Sequence, residues 1–598
     1  MRSRGRKSGG WINGDVTGLS AASPSGRGSS SPRGVAAVPR SVNAPTPDNE
    51  DILAWSRGRP DAALPGFRTR SGHGGLVPYQ RSGAEPEETA IQPPRHPDLE
   101  PATDLSPADP APVESESVGR RSARGFLWGT LAWSANRLAI LGLTLLLARL
   151  LAPEDFGVVT AALTVIAILD AALDLGVGAA VIAEQESGVT RRTRTAFSLN
   201  LAVAALVCIA GVATSPLIAA LFRSEPAAST FALIFLYPLF RGAGQVNDAV
   251  LKRDLRFRAR TVVDLVRATV RVAVSIPMAL TVGGAASIAV GIVASELVAM
   301  VLLWLLVPIR PELRPDRVTV RGLLGFGGQI TVIRILGSLR SNLDYVAVGA
   351  VLGATALGFY GMAYKLPELA IENVLWIFSA IALSAYARAY AGGREALLGT
   401  MLKATKLLTL YGLAAGTALA VVARDAIPVL FSPQWAPAAT PAALVALSLG
   451  VASIAWASGD VFAALGRPGA LILLDVPATV LMAVAFVFAP QWGLVGVALV
   501  HLVFNVGYCV ARLAVLRSVT RVSTRALLGA ILPGVAVAGV TAAVGLAVAT
   551  ALPSGRALTL VLVSAACALA IAAGSLLFAR SAVLEAWRLV RPARVGTP

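Results

Sequence analysis

From residue 126 onward, long apolar runs alternate with short polar loops. About fourteen of these runs approach the roughly 20 residues that a helix needs to cross a bilayer, so the pattern predicts an all-α polytopic membrane protein. The predicted spans are 126–151, 157–182, 195–221, 227–248, 261–282, 284–308, 323–351, 357–386, 402–423, 438–462, 469–489, 492–514, 525–550 and 557–579.

Lysine and arginine concentrate in alternate loops between these runs. About 25 lie on one set of loops and about 4 on the other, and basic loops stay on the cytoplasmic side. The basic set includes Arg191, Arg192, Arg194, Lys252, Arg253, Arg256, Arg310, Arg314, Arg388, Arg394, Arg467, Arg512, Arg517 and Arg580. The opposite set is Arg149, Arg223, Arg424 and Arg556. The alternation predicts that both termini are cytoplasmic.

Residues 1–124 are rich in Ser, Pro, Gly and Arg and lack long apolar runs. Such a composition cannot bury a core, so we expect a disordered cytoplasmic tail. No apolar segment follows the basic start, which argues against a secretory signal peptide. The tail is either without a specific role or a regulatory or docking segment. Residues 581–598 form a second cytoplasmic tail in this interpretation.

Composition narrows the class further. The chain is 55% hydrophobic and 15% charged, which excludes an ordinary soluble protein. Its net charge of +17 is distributed loop by loop, as membrane topology requires, so it does not indicate nucleic-acid binding. The scattered histidines and the lack of a phosphate-cradling loop predict no enzyme activity. Three cysteines in apolar runs, at no useful spacing, predict neither a metal site nor a disulfide framework, and we expect no cofactor: Cys208, Cys509 and Cys567.

One short segment occurs twice. Leu352-Gly-Ala-Thr-Ala-Leu-Gly358 is a loose copy of Leu151-Ala-Pro-Glu-Asp-Phe-Gly157, and each copy follows the first span of one half. The repeat predicts two related halves with the substrate site between them. The expected domains are an N-lobe of spans one to six, a cytoplasmic inter-lobe loop, a C-lobe of spans seven to twelve, and spans thirteen and fourteen, at 125–308, 309–321, 322–522 and 523–580.

The sequence contains the motifs Leu147-Ala-Arg-Leu-Leu-Ala-Pro-Glu-Asp-Phe-Gly157, Asp174-Leu-Gly-Val-Gly178, Leu251-Lys-Arg-Asp-Leu-Arg-Phe257, Asn342-Leu-Asp-Tyr345 with Leu357-Gly-Phe-Tyr360, and Pro428-Val-Leu-Phe-Ser-Pro-Gln-Trp435. Together these motifs resemble those of the oligosaccharide flippases of the polysaccharide transporter group. The resemblance covers about residues 126–520. It implies the fold shared with multidrug and toxin extruders and lipid II flippases, in which two six-helix lobes surround a central cavity and work by alternating access. A proline usual near the inner end of span eight is absent from 377–384.

The resemblance implies transport of polyprenyl-pyrophosphate-linked oligosaccharide across the bacterial cytoplasmic membrane for surface polysaccharide biosynthesis. A pyrophosphate crossing the membrane needs fixed cations, and the guanidinium fork suits phosphate. The candidate substrate-binding residues within spans are Arg137, Arg267, Arg271, Arg334, Arg340 and Lys365. Alternatively, Asp344 neutralises Arg340, Asp264 neutralises Arg267, and Arg271 extends to the cytoplasmic surface. Arg334 is the leading candidate because it lies near mid-depth.

Two carboxylates in span two, Asp170 and Asp174, are four residues apart and are candidates for a coupling-ion site. The alternative for Asp170 is a structural ion pair with Arg137 at matching depth. Glu296, Arg241 and Asp475 are interpreted as packing or interface groups.

Two other functions remain open. One is cation-coupled export of small amphipathic compounds, for which the excess of basic over acidic residues at mid-depth is unfavourable. The other is a non-transporting scaffold whose tail docks a synthase. The expected partners are the lipid-linked oligosaccharide and membrane lipid, and a polysaccharide polymerase or glycosyltransferases are candidates.

Overall fold

The computed structural model describes residues 137–173, 190–312, 317–467, 469–553 and 556–580. Within these ranges the chain is helical and contains no β-strand. The two predicted tails and Asp174 lie outside the described residues, and the predicted inter-lobe loop is described except for 313–316.

Helices are numbered here in chain order. They are α1 (137–150), α2 (Pro153–Leu173), α3 (Arg191–Leu221), α4 (Ala228–Ile234), α5 (Leu236–Arg253), α6 (Phe257–Thr281), α7 (Gly284–Leu306), α8 (Arg317–Leu352), α9 (Ala354–Pro367), α10 (Asn373–Ala391), α11 (Arg394–Leu430), α12 (Ala439–Ala464), α13 (Gly469–Phe488), α14 (Gly493–Thr520), α15 (Thr524–Ala551) and α16 (Ala557–Phe578). A π turn, Glu368–Glu372, joins α9 to α10.

A helix overlaps each predicted span within the described residues. Of the helical segments there, 9 are long and apolar enough to cross a membrane by length and composition, and one of these, Leu471–Thr520, joins α13 and α14. The helix α6 is not among them, because it carries Asp264, Arg267 and Arg271 within two turns. The predicted all-helical membrane class is confirmed at this level.

Local sequence sets several helix ends. The side chain of Thr190 caps α3 by accepting from the Thr193 backbone N–H at 3.1 Å. The hydroxyl of Ser523 caps α15 through the Ala526 N–H at 3.2 Å. Such caps satisfy backbone donors that have no partner within the helix. The tight turns that precede α7 and α14 place Gly283 at φ 69° and Gly493 at φ 66°, where glycine is favoured.

The two copies of the repeated segment pack against each other where α2 crosses α9. A Cβ atom added to Gly157 would lie 1.7 Å from the carbonyl oxygen of Ala354, and one added to Gly358 would lie 1.9 Å from that of Pro153. Ala354 occupies in its copy the position that Pro153 occupies in the other. The contact is therefore reciprocal, and it needs glycine at both positions.

A second reciprocal contact joins the first helix of each half to a loop of the other half. A Cβ atom on Gly349 of α8 would lie 2.2 Å from the ring of Phe222, which follows α3. Ala148 of α1 belongs to the same buried cluster as Phe431, which follows α11, and accepts a hydrogen bond of 2.8 Å from the indole of Trp435. In both contacts, equivalent positions of the repeat pack against the opposite half of the chain.

The main core lies at this crossing and includes residues from both halves, among them Val158, Phe222, Val348, Leu357 and Tyr360. The two C-terminal helices lie outside it. The helix α15 packs closely on α11, since a Cβ at Gly534 would lie 2.9 Å from the Thr409 backbone, and α16 packs on α15 and α11.

Candidate functional site

Three charged residues meet where the two halves of the chain face each other. Two of them, Arg137 and Lys365, are predicted site residues, and the third, Glu368, was not predicted. Arg137 Nη1 on α1 lies 3.4 Å from Glu368 Oε1, and Lys365 Nζ on α9 lies 3.9 Å from Glu368 Oε2. Their side chains are 38%, 47% and 33% exposed for Arg137, Lys365 and Glu368. We call Arg137, Lys365 and Glu368 the seam cluster. Because its members are only partly buried, they remain open to a ligand.

The position of Glu368 depends on an irregular turn in the predicted eighth span. Pro367 ends α9, and Glu368 is the first residue of the π turn that leads into α10. A π turn widens the helix and rotates the side chains that follow, and such turns are frequent at functional sites. This irregular turn lies next to Pro367, in the middle of the predicted span, and the helical segment Ala354–Ala391 continues through it.

Two predicted candidates lie on α8. Arg334 is exposed and lies one turn before Ser338, whose hydroxyl donates to the Ala167 carbonyl of α2 at 2.7 Å. Arg334 is therefore on the side of α8 that approaches α2 and the seam between the halves. Arg340 is half-buried and lies within electrostatic range of Tyr508 on α14.

The alternative in which Asp344 neutralises Arg340 is wrong for the described structure. Asp344 Oδ2 instead accepts hydrogen bonds from Tyr360 at 2.9 Å and Tyr364 at 3.2 Å, and lies 3.4 Å from His501 Nε2. We call Asp344, Tyr360, Tyr364 and His501 the outer cluster. Sequence reasoning treated His501 as an isolated histidine. The available signal was the four-residue spacing of the two tyrosines, which puts both on one helix face.

The arginines of α6 form a network with α7. Arg267 contacts Asp264 at 2.7 Å and Glu296 at 3.1 Å, while Arg271 lies 4.0 Å from Glu296 and donates to the Ser295 hydroxyl at 3.4 Å. The Glu296 side chain is only 4% exposed. The structure thus contains the alternative arrangement in which Asp264 neutralises Arg267. A substrate role for Arg267 and Arg271 stays a prediction.

Asp170 lies beside this network. Its carboxylate is within electrostatic range of Arg241 on α5 and Glu296 on α7, and among the described residues it forms no ion pair with Arg137. The alternative in which Asp170 pairs with Arg137 is therefore wrong for the described structure, in which Arg137 contacts Glu368. The described ranges contain no group of three or more His, Cys, Asp or Glu side chains that could hold a metal ion.

Outside the seam, α13 and α14 diverge and leave an apolar groove of about 650 Å³. Its lining includes Leu481, Trp492, Val503 and Tyr508. At its polar end the Tyr508 hydroxyl donates to Asp475, and the Arg512 guanidinium lies 5.5 Å from the centre of the Tyr508 ring. Asp475 thus serves as a packing group between α13 and α14, as its position in the sequence suggested.

The fold is that of the flippase and multidrug-exporter class of helical membrane proteins. The lipid II flippase MurJ in its inward closed conformation matches with a TM-score of 0.63 at 10% identity, over 76% of this chain and 100% of that one. An inward-facing multidrug resistance MATE family transporter of the MOP superfamily matches with a TM-score of 0.52 at 18% identity, over 64% of this chain and 94% of that one. At these identities the likeness concerns the fold.

Sequence comparison points to the same group of proteins. A family model described as polysaccharide biosynthesis protein matches residues 146–440. The resemblance predicted from the motifs is confirmed. Similar proteins include the lipopolysaccharide biosynthesis protein WzxC of Escherichia coli, 24% identical over 331 residues, which cover 53% of this chain and 65% of that protein.

Two further relatives carry related names. The teichuronic acid biosynthesis protein TuaB of Bacillus subtilis is 25% identical over 346 residues, covering 56% of this chain and 69% of that protein. The succinoglycan biosynthesis transport protein ExoT of Rhizobium meliloti is 26% identical over 307 residues, covering 51% of this chain and 62% of that protein. The matched segments span 65%, 69% and 62% of the three relatives' lengths.

Proposed function

We propose that the protein is a flippase that moves polyprenyl-pyrophosphate-linked oligosaccharide across the bacterial cytoplasmic membrane for surface polysaccharide biosynthesis. The observation that carries this proposal is the seam cluster, a pair of partly exposed cations sharing one carboxylate between two related halves of a membrane bundle. The family and the fold of the chain are consistent with this function.

The depth of the seam cluster supports a role in carrying an anion through the membrane. Arg137 lies about 20 Å from the outer end of α1, and Glu368 about 21 Å from the start of α9, at a rise of about 1.5 Å per residue. Both distances correspond to roughly the middle of a hydrocarbon core of about 30 Å. A pyrophosphate at this depth has lost most of its water and gains strongly from a charge-assisted contact.

The chemistry we propose is an exchange of anions. In the described structure the Glu368 carboxylate holds both Arg137 and Lys365. An incoming pyrophosphate takes these two cations from Glu368, since it offers more negative charge and more acceptor oxygens. Arg334, which lies on the adjacent face of α8, adds a third cation to the same anion. When the substrate leaves, Glu368 closes the site again and prevents free anions from staying bound.

The proposed architecture follows the internal repeat. Residues 125–308 and 322–522 form two six-helix lobes, and 523–580 adds spans thirteen and fourteen, with both termini in the cytoplasm. The glycine crossing of α2 and α9 lies near the outer ends of both helices, where the lobes stay in contact. Rocking about this crossing opens the seam to alternate sides of the membrane.

The test combines a deletion strain with purified protein. Deleting the gene should leave lipid-linked repeat units on the cytoplasmic face and remove surface glycan, and expression of the chain should restore both. In proteoliposomes the purified protein should expose a lipid-linked oligosaccharide to an external glycan-modifying enzyme faster than empty liposomes do. Unchanged glycan and intermediates in a strain without a second copy of such a gene would contradict the proposal.

The same strains distinguish the other functions. Raised resistance to cationic dyes on overexpression, without any effect on glycan, would favour export of small amphipathic compounds. Loss of glycan after removal of residues 1–124 from an otherwise inserted and flipping-competent protein would favour a docking role for the tail and a polymerase or glycosyltransferase as its partner.

A further inference from the structure

The outer cluster contains a buried carboxylate with an uneven set of partners. Asp344 is 2% exposed, and its Oδ2 atom accepts from both Tyr360 and Tyr364 and faces His501 Nε2 at 3.4 Å. Its second oxygen, Oδ1, is buried and has no hydrogen-bond partner in the described structure. A buried ionised carboxylate normally has both oxygens satisfied, because each unpaired oxygen loses its hydration without compensation.

We propose that Asp344 and His501 together form a proton-binding site of the transport cycle. With the carboxylate ionised and the imidazolium protonated, the two groups form an ion pair. Uptake of one more proton neutralises Asp344 at the carboxyl group, and release of the Nε2 proton of His501 to water leaves the carboxylate with its tyrosine donors. Each step moves one proton between the site and water and needs no other reactant.

The surroundings of the pair favour a proton over a metal cation. Two tyrosines cover Asp344 on the α9 side, and the Phe486 ring of α13 lies 5.3 Å from the imidazole of His501. A sodium or calcium ion requires several oxygen ligands, whereas the described ranges contain no group of three or more acidic, histidine or cysteine side chains fit for a metal. The His501 side chain is 18% exposed and lies about 12 Å from the start of α14.

Charges elsewhere respond to this pair. The titratable and charged groups on the elements packed around it include Tyr345, Arg334 and Arg340 on α8, Tyr360, Tyr364 and Lys365 on α9, Glu368 and Glu372 in the π turn, Asp475 on α13, and Tyr508 and Arg512 on α14. Tyr345 is within electrostatic range of Asp344, Glu368 and Glu372, and Glu372 is within range of His501 and Arg137.

This arrangement links the proton site to the seam cluster. Tyr364 is the residue before Lys365 and lies one turn from Glu368, so a change of charge at Asp344 is felt by the residues that hold the seam cations. Protonation of Asp344 removes one negative charge near Arg137 and Lys365, which favours binding of the substrate's anion at the seam cluster. The coupling part of this inference rests on the proposed function, whereas proton binding itself does not.

Proton binding is measured on the full-length protein in lipid nanodiscs, by infrared difference spectroscopy as the bulk pH is stepped. The wild type should show the C=O stretch of a neutral carboxyl group that comes and goes with pH, and Asp344→Asn should lose this band. Asp425→Asn is the matched control, because Asp425 is also 2% exposed, and it should keep the band. His501→Gln and Tyr364→Phe should shift the pH at which the band changes.

A band that persists unchanged in Asp344→Asn would overturn the assignment, as would a wild type without such a band. If Asp344→Asn does not fold, the His501→Gln shift decides, and an unshifted band then overturns the proposal. Coupling is tested in proteoliposomes with an imposed pH gradient, where wild-type flipping should respond to the gradient and His501→Gln should not. Flipping that responds to a sodium gradient alone would contradict the assignment of the proton as the coupling ion. A wild type that does not flip the substrate contradicts the proposed function, and the infrared result then stands by itself.

Discussion

Arg137 and Ser338 hold equivalent positions on α1 and α8, and their contacts are equivalent in place but different in chemistry. Arg137 reaches the Glu368 carboxylate at 3.4 Å, while Ser338 donates to the Ala167 carbonyl at 2.7 Å. The spacing along the chain that relates Arg137 to Ser338 also relates Ala167 to Glu368. Equivalent positions thus make one ionic and one neutral contact, and the charged pair lies on only one side of the seam.

Replacing Gly157 by alanine should destabilise the bundle. The added methyl group would lie 1.7 Å from a backbone carbonyl, which cannot rotate away, so α2 and α9 must separate. We expect a loss of about 1–3 kcal/mol, typical of overpacking, seen as a lower melting temperature in detergent. Gly358→Ala should behave alike, and Gly142→Ala, with nothing within 4 Å, is the control. Equal melting temperatures for Gly157→Ala and Gly142→Ala would contradict the crossing.

Replacing Arg137 by glutamine should reduce transport far more than stability. Its ion pair with Glu368 is partly exposed, and such pairs contribute under about 1 kcal/mol. A charge-assisted contact to the substrate contributes about 1.5–3 kcal/mol, so transport should fall about tenfold or more. Arg517→Gln, at an exposed position near the end of α14, is the control for proteoliposome flipping. A large drop in melting temperature with normal flipping would indicate that Arg137 has a structural role and does not bind the substrate.

Substitutions of Arg334 should show whether transport requires only a positive charge at this position or also the planar pair of guanidinium donors. Arg334→Lys keeps the charge but loses the planar pair of donors, so it should retain partial flipping, whereas Arg334→Ala should insert normally and flip poorly. The measurement is flipping per unit of protein at matched membrane level, with Arg517→Ala at an exposed position near the end of α14 as control. Full flipping by Arg334→Ala would show that Arg334 does not contribute to substrate binding.

Glu296 should matter for folding more than for transport. Its carboxylate lies 3.1 Å from Arg267 and 4.0 Å from Arg271, and its side chain is nearly fully buried. Glu296→Gln leaves two guanidinium groups without this counter-charge, and breaking such a buried network typically costs about 3–5 kcal/mol. Thermal melting measures the loss. Glu395→Gln, at an exposed position of α11, should stay within about 0.5 kcal/mol of the wild type.

The hydrogen bonds of Glu312, which lies between α7 and α8, predict that the stability of the folded protein depends on pH. Hydrogen bonds from the Thr195 hydroxyl and the Arg191 guanidinium lower the pKa of Glu312 below its ordinary value. A lowered carboxyl pKa stabilises the folded state at neutral pH, and this stabilisation disappears as the pH falls through the folded-state pKa. Glu312→Gln should therefore melt below the wild type at neutral pH, and the two should converge in acid. A constant difference at all pH values would contradict this account.

The sequence alone was sufficient to predict a helical membrane protein, its resemblance to a family and the approximate positions of its helices. Each apolar run has to satisfy its own backbone hydrogen bonds in a bilayer, so helix formation depends on a local window of composition. The repeat at Leu151–Gly157 and Leu352–Gly358 likewise predicts two related halves, and the structure brings these two segments into contact.

The pairing of charges was decided by tertiary structure. Four-residue spacing suggested Arg340 as the partner of Asp344, yet two tyrosine hydroxyls from α9 donate to the carboxylate and His501 from α14 lies beside it. Arg137 and Glu368 are 231 residues apart and meet only because α1 packs against the second half. Periodicity specifies which side of a helix is polar, but the helix that faces this side depends on close packing between distant segments. The seam cluster and the outer cluster exist only at that level.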